Sequence, residues 1–150
     1  MSIKVISNNR KAFYDYNILE RIEAGLVLTG TEIKSIREGT VNIRDAYVRP
    51  DDNEMWLYSA HISHYDKGNR YNHEPSRPRK LLLHRREIRN LTAKVREKGL
   101  TIVVLKLYIK GGVAKIEVGL AKGKKVYDKR QSIAKRDSDR DMARTLRRPR

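Results

Sequence analysis

From Thr101 to Lys110, Val103, Leu105, Leu107 and Ile109 alternate with Lys106, Tyr108 and Lys110. After Gly111-Gly112 the alternation resumes, with Ile116, Val118 and Leu120 set against Lys115 and Glu117. A period of two on either side of a Gly-Gly pair predicts a β-hairpin with one apolar face. Ile18 to Leu28 is apolar-rich and runs into Thr29-Gly30-Thr31-Glu32, a capping-box pattern that starts a short helix carrying Ile33 and Ile36 and stopped by Gly39. Asp45 to Arg49 and Met55 to Ile62 read as strands separated by the turn Pro50-Asp51-Asp52-Asn53. Ile88, Leu91 and Val95 lie at helical spacing, closed by Lys98-Gly99. Five or so strands with helices inserted between them predict a mainly β fold. A small OB-like closed barrel is the preferred form, because closure removes exposed strand edges, and such barrels commonly bind nucleic acid.

Composition adds a partner class to this picture. The chain has 150 residues, 34 Lys plus Arg, 18 Asp plus Glu, a net charge of +16 and no cysteine. That length supports one compact core, or a smaller core and a tail. Without cysteine there is no disulfide frame and no thiolate metal site. No apolar run approaches the ~20 residues of a membrane helix, and Met1-Ser2-Ile3-Lys4-Val5-Ile6 lacks the apolar stretch of a signal peptide, so a soluble, cytoplasmic protein is expected. An excess of this size implies a polyanion, nucleic acid before anionic membrane.

The charge also divides the chain. Met1 to Lys122 holds 23 basic and 14 acidic residues, a net +9, whereas Gly123 to Arg150 holds 11 basic and 4 acidic, a net +7. In the second segment the large aliphatic side chains are Val126, Ile133, Met142 and Leu146. So few cannot offset the ~1 to 2 kcal/mol of backbone entropy lost per ordered residue. The expected division is a barrel over 1–122 and a basic tail over 123–150, unstructured when free. As a helix the tail would line up Arg136, Arg140, Arg144 and Arg148 as one cationic stripe, with Met142 and Leu146 on another face. Such a helix is marginal alone and is expected to form on a polyanionic groove.

Catalytic chemistry finds little support. His61, His64 and His73 have no carboxylate at ligand spacing and read as solvated or RNA-facing. Gly123-Lys124-Lys125 lacks the upstream glycine spacing and the Ser or Thr of a phosphate loop. Asp51-Asp52 sits in a turn, where Asp is favoured anyway. Binding residues are plentiful: Arg77, Arg79, Lys80, Arg85, Arg86 and Arg89 surround Leu81-Leu82-Leu83, with His84 at the centre of this basic belt. The leucines read mostly as core and the cations as phosphate contacts. Tyr14, Tyr16, Tyr58, Tyr65 and Tyr71 have faces for base stacking but read individually as core or rim.

Asn9-Arg10-Lys11-Ala12, Glu23-Ala24-Gly25, Gly30-Thr31-Glu32-Ile33-Lys34-Ser35-Ile36-Arg37, Arg79-Lys80-Leu81-Leu82-Leu83-His84 and Gly119-Leu120-Ala121-Lys122-Gly123-Lys124-Lys125-Val126-Tyr127-Asp128-Lys129-Arg130 together resemble the SsrA-binding protein family, SmpB. The likeness covers nearly the whole chain in order. It implies a non-enzymatic, monomeric trans-translation factor without cofactor or metal, built from an OB-type barrel and a C-terminal tail. The implied partners are the tRNA-like domain of transfer-messenger RNA (tmRNA) and the ribosome, with elongation factor Tu and alanyl-tRNA synthetase engaged indirectly through tmRNA. In that scheme the barrel replaces an anticodon arm, and the tail enters the empty decoding centre and mRNA channel of a stalled ribosome and becomes helical there. The incomplete protein is then tagged for proteolysis.

By the same resemblance Glu23, Arg37, Leu82, His84 and Lys115 lie on or beside the tmRNA surface, with Asn9 and Lys11 in an N-terminal contact region. Gly123, Lys124 and Lys125 match the tail hinge, and Tyr127, Asp128, Lys129 and Arg130 the decoding-centre segment, where the Tyr127 ring is suited to stack on an rRNA base. Arg136, Arg140, Arg144, Met142 and Leu146 complete the tail. The chain departs from some members near its end, with Ser138 and Thr145-Leu146 where they carry a bulky pair or a Trp. Two other classes share the composition: a structural ribosomal protein, and an RNA-processing enzyme using His61, His64 or His84.

Overall fold

A computed structural model describes residues 3–66 and 72–124. Its elements in chain order are β1 (Ile3–Asn8), α1 (Arg10–Asp15), β2 (Tyr16–Leu26), α2 (Gly30–Arg37), β3 (Val41–Asn42), β4 (Tyr47–Asp51), β5 (Glu54–Tyr58), β6 (His61–Ile62), β7 (Arg79–Leu82), α3 (Arg85–Lys98), β8 (Thr101–Lys110) and β9 (Val113–Gly123). The fold is mainly β, with helices inserted between strands. Tyr71 and the tail residues Lys125, Tyr127, Asp128, Lys129, Arg130, Arg136, Arg140, Arg144, Met142 and Leu146 lie outside the described residues. No helix among the described residues is long and apolar enough to cross a membrane.

The large sheet runs β1-β8-β4-β5-β7-β2-β9, and β9 pairs in addition with β8. All these pairings are antiparallel. β3 and β6 form a separate two-stranded sheet. The main core includes Ile36, Ile43, Met55, Leu57, Leu81, Leu91, Ile102, Val104, Leu107, Ile116 and Val118. On the opposite face of the sheet, Ala12 of α1 packs with Val103, Leu105 and Ala121, and with the partly buried Tyr16 and Ile18.

Several sequence expectations are corrected here. The alternation of Val103, Leu105, Leu107 and Ile109 on one face does not hold, because the register shifts between Val104 and Lys106. The extra residue, Leu105, reverses the parity of the strand. Ile102, Val104 and Leu107 therefore enter the main core, and Val103 and Leu105 the second cluster. Gly119 makes room for Leu105, since a Cβ there would lie 2.9 Å from Leu105 Cδ1 and 3.1 Å from Ile18 Cγ2. The strand expected over Met55–Ile62 is two, divided at Ser59, whose φ is 61°. The preceding turn is only Asp52-Asn53, with φ of 51° and 63°, the conformation of a tight hairpin turn. Pro50 belongs to β4; β8 pairs with β4 only at Tyr47 and Val48, so Pro50 has a free edge that tolerates its missing N–H.

The capping box forms as expected: Thr29 Oγ1 accepts from the Glu32 amide and Glu32 Oε1 from the Thr29 amide. The Glu32 carboxylate has a second use. Both it and Arg79 are fully buried, and Arg79 Nε donates to Glu32 Oε2. Arg77 bonds the other carboxylate oxygen. Arg79 also donates to the carbonyls of Ala60 at 2.8 Å and Pro75 at 2.9 Å. One guanidinium thus joins the start of α2, the link between β5 and β6, the segment before β7, and β7 itself. Arg79 is accordingly removed from the basic belt.

Burial pushes the Glu32 pKa up, but the bonds from Arg77, the Thr29 amide and Arg79 outweigh it and hold the carboxyl below its ordinary value of 4.5. The folded state therefore gains stability from this group above that pH and loses it as pH falls through the folded pKa. Arg79→Met should lower the unfolding free energy at pH 7 by about 3 to 5 kcal/mol, the cost of removing one partner from a buried ion pair. Urea denaturation should show that deficit narrowing as pH falls through the carboxylate range, because without Arg79 the buried carboxyl takes up a proton more readily than in the wild type. A deficit that stays constant with pH would mean the carboxylate does not depend on Arg79.

Candidate nucleic-acid interface

Four strands place a row of side chains on the sheet's outer face, away from the main core. Leu82 of β7 is opposite Gly25 of β2, Gly25 is opposite Lys115 of β9, and Lys115 is opposite Tyr108 of β8. Glu23 lies two residues before Gly25 on the same face. Leu82 is 54% exposed and lies against Gly25, whose Cβ, if present, would be 3.3 Å from the Leu82 Cβ. Strand alternation explains why the central leucine differs from its neighbour: Leu81 is buried in the core and Leu82 faces out. His84 follows, exposed, as the N-cap of α3, its amide donating to Glu87 Oε1 at 3.1 Å.

Tyr108 was missed as a site residue because its alternation suggested only a solvated strand position. It is 5% exposed, and its hydroxyl donates to Glu23 Oε2. Lys110 Nζ stands 3.5 Å from Glu23 Oε1. The Tyr108 hydroxyl, with Lys110 and Lys115 nearby, holds the Glu23 carboxyl below the usual carboxylate range against some desolvation. Burial and the bond to Glu23, with the charge of Glu117 nearby, raise the Tyr108 phenol above its ordinary value. An ionised carboxylate in this row is an acceptor, suited to a base N–H or a ribose 2′-OH and not to phosphate.

The N-terminal residues divide by role. Lys11 is exposed and pairs with Asp45 at 3.0 Å, which holds the Asp45 carboxyl below its ordinary value. Asn9 is 4% exposed, so its side chain is not a surface contact. Its Oδ1 accepts from the Ala12 amide as the cap of α1, and its Nδ2 is within bonding distance of the carbonyls of Ile43, Arg44 and Val104 at 3.2, 3.2 and 2.8 Å. Asn9 fixes α1, and thereby Lys11, to the sheet. An Asn directly before Arg10 was the available signal for a helix cap. Arg37 is exposed in the last turn of α2. Gly123 ends β9, and Lys124 donates from its amide to the Asp15 carbonyl at 2.9 Å and from Nζ to the Phe13 carbonyl at 3.2 Å. The chain thus leaves β9 beside the C-terminal end of α1.

Lys80, Arg85 and Arg89 of the basic belt, joined by Arg96, border a groove of about 900 Å³ between α3 and the β4–β5 turn, together with Leu82 and Ile88. Lys80 is paired there with Glu54 at 3.0 Å. Among the histidines, His61 and His64 are exposed, but His73 is buried, correcting its solvated reading. His73 Nε2 donates to the Ile62 carbonyl at 2.7 Å, and Nδ1 shares a hydrogen bond with the Thr31 hydroxyl at 2.9 Å. Among the described residues no three His, Asp or Glu side chains gather as metal ligands. Of the tyrosines, Tyr58 stacks on Tyr47 with centroids 5.6 Å apart, and Tyr65 lies under Lys34 Nζ. Tyr14 and Tyr16 are half-buried.

The family described as "SmpB protein" matches residues 6–148. The chain belongs to the SmpB family. The SsrA-binding protein of Carboxydothermus hydrogenoformans is 62% identical over 144 residues, 96% of this chain and 97% of that protein. The SsrA-binding protein of Geobacter metallireducens is 55% identical over 147 residues, covering 98% and 96%. A solved structure described as "tmRNA-SmpB: a journey to the center of the bacterial ribosome" is 49% identical with a TM-score of 0.67, over 80% of this chain and 85% of that one.

Asn9 and Lys11, two residues apart, should behave oppositely on substitution. Asn9→Ala removes a cap and leaves buried carbonyls unsatisfied, which should cost about 2 kcal/mol or more in urea denaturation. Lys11→Ala should leave the denaturation midpoint unchanged, its partner being on the surface. Equal midpoints for the two variants would contradict the division of roles.

Proposed function

We propose that this protein binds the tRNA-like domain of tmRNA through the row Leu82, Gly25, Lys115 with Glu23, and carries tmRNA to stalled ribosomes as a non-enzymatic factor of trans-translation. The observation that carries this reading is the family match over residues 6–148, in a chain whose outer sheet face brings Glu23, Leu82 and Lys115 from three strands into one patch. The names of the relatives state SsrA binding, and the structural neighbour is described with tmRNA on the ribosome. The circuit of pairings β8-β4-β5-β7-β2-β9-β8 supports reading the sheet as an OB-type closed barrel. His84, Arg37 and Lys11 border the RNA on this reading, and Asn9 serves it by holding α1.

The division of labour follows from charge. The barrel of 1–122, at +9, neutralises phosphate on a folded RNA recognised by shape. The tail of 123–150, at +7, leaves from Gly123 and Lys124 and enters the decoding centre and mRNA channel, with Lys125, Tyr127, Asp128, Lys129 and Arg130 at the centre and the Arg136, Arg140, Arg144 stripe beyond. Its ordering cost provides selectivity, since a channel filled by mRNA denies the compensating contacts. Elongation factor Tu and alanyl-tRNA synthetase are engaged through tmRNA, the protein acting as a cytoplasmic monomer.

Deleting 123–150 should leave affinity for a tRNA-like-domain transcript within about twofold, because a tail contact worth less than ~0.4 kcal/mol is implied. The same deletion should abolish peptide tagging on ribosomes stalled without a codon. Normal tagging by the truncated protein would contradict the assignment of the tail.

A further inference from the structure

Within the proposed RNA surface the carboxylate is the unusual member. The chain exceeds neutrality by 16 positive charges, and a phosphate-binding surface has no evident use for an exposed anion. Glu23 is nevertheless held in place from two strands away. β9 lies between β2 and β8, paired to each along its length, and the Tyr108 ring reaches over it to set its hydroxyl on Glu23 Oε2. With Oε2 occupied, the contact of Oε1 among the described residues is Lys110 Nζ at 3.5 Å, long for a strong hydrogen bond. That oxygen is available beside the exposed Leu82 and the Gly25 gap.

We propose that Tyr108 is a positioning residue for RNA recognition: its hydroxyl fixes the rotamer of the Glu23 carboxylate so that Oε1 accepts from an N–H of a base edge or a ribose 2′-OH. This rests on the reading of the row as the tmRNA surface. Tyr108 itself, 5% exposed, does not touch the RNA. Its hydroxyl removes the entropic cost of immobilising a free glutamate at the moment of binding. The bond also holds the Glu23 pKa below its ordinary value of 4.5. The charged groups that share its surroundings are Lys110 of β8, Lys115 and Glu117 of β9, and Arg21 of β2, which pairs with Glu117 at 3.8 Å. The cations assist the ionised form and Glu117 opposes it, so the neutral donor Tyr108 is the group whose removal leaves net charge unchanged.

The test uses the full-length chain and a transcript of the tRNA-like domain, with affinity measured from pH 5 to pH 8. Tyr108→Phe should weaken binding roughly tenfold at pH 7, with the loss deepening towards pH 5 as Glu23 takes up a proton. Glu23→Gln should weaken binding at every pH, and Tyr108→Phe added to it should have no further effect. Additive losses in the double variant would overturn the proposal, since a general packing role of Tyr108 does not run through Glu23. So would wild-type affinity and pH profile in Tyr108→Phe. Should the unmodified chain fail to bind the transcript, the RNA reading of the surface falls instead; proton titration of Glu23 by NMR still tests the pair, the proposal requiring its pKa to rise in Tyr108→Phe.

Discussion

β9 is hydrogen-bonded along both edges, to β2 on one side and β8 on the other, and the outer surface of the protein depends on that double pairing. It aligns Gly25, Lys115 and Tyr108 in one row, and a hydroxyl on β8 thereby meets a carboxylate on β2. The bulge at Leu105 sets the parity that lets both faces of β8 be used. One end of the outer face is closed by α1 over Val103, Leu105 and Ala121, and the other is left to Glu23, Leu82 and Lys115.

Buried polar groups then fix what the strands alone leave free. Glu32 and Arg79 are a costly pair to desolvate, and their bonds reach the Ala60 and Pro75 carbonyls as well as the start of α2. Asn9 does the same on a smaller scale for α1, with one amide group within reach of three carbonyls. The pair and Asn9 are both buried. Both convert a short helix with little core of its own into a rigid support for exposed cations, Arg37 on α2 and Lys11 on α1.

Much of this arrangement could be read from residue patterns. The Thr29 to Glu32 box, the Gly111-Gly112 hairpin and the Gly99 helix end are local devices whose chemistry lies within a few residues. What escaped was long-range. The alternation in Thr101–Lys110 looked regular, and only pairing with β9 reveals the bulge that divides it. Arg79 sat among five other cations, and nothing nearby in sequence marks it as the partner of a glutamate 47 positions away. β1 and α1 were unread because Ile3 to Asn8 is short and mostly exposed, and α1 buries only Ala12. The proposed site residues Glu23, Leu82 and Lys115 are implied by family resemblance, and their adjacency is a consequence of register, which no local pattern encodes.

The central claim is that the row across β7, β2, β9 and β8 is the surface that meets RNA. Backbone amide shifts of the labelled full-length chain, followed as a tRNA-like-domain transcript is added, test it most directly. The account requires the largest changes at Glu23, Gly25, Leu82 and Lys115, with smaller ones along the α3 groove at Arg85, Arg89 and Arg96. Changes concentrated in that groove, with the row unmoved, would contradict it.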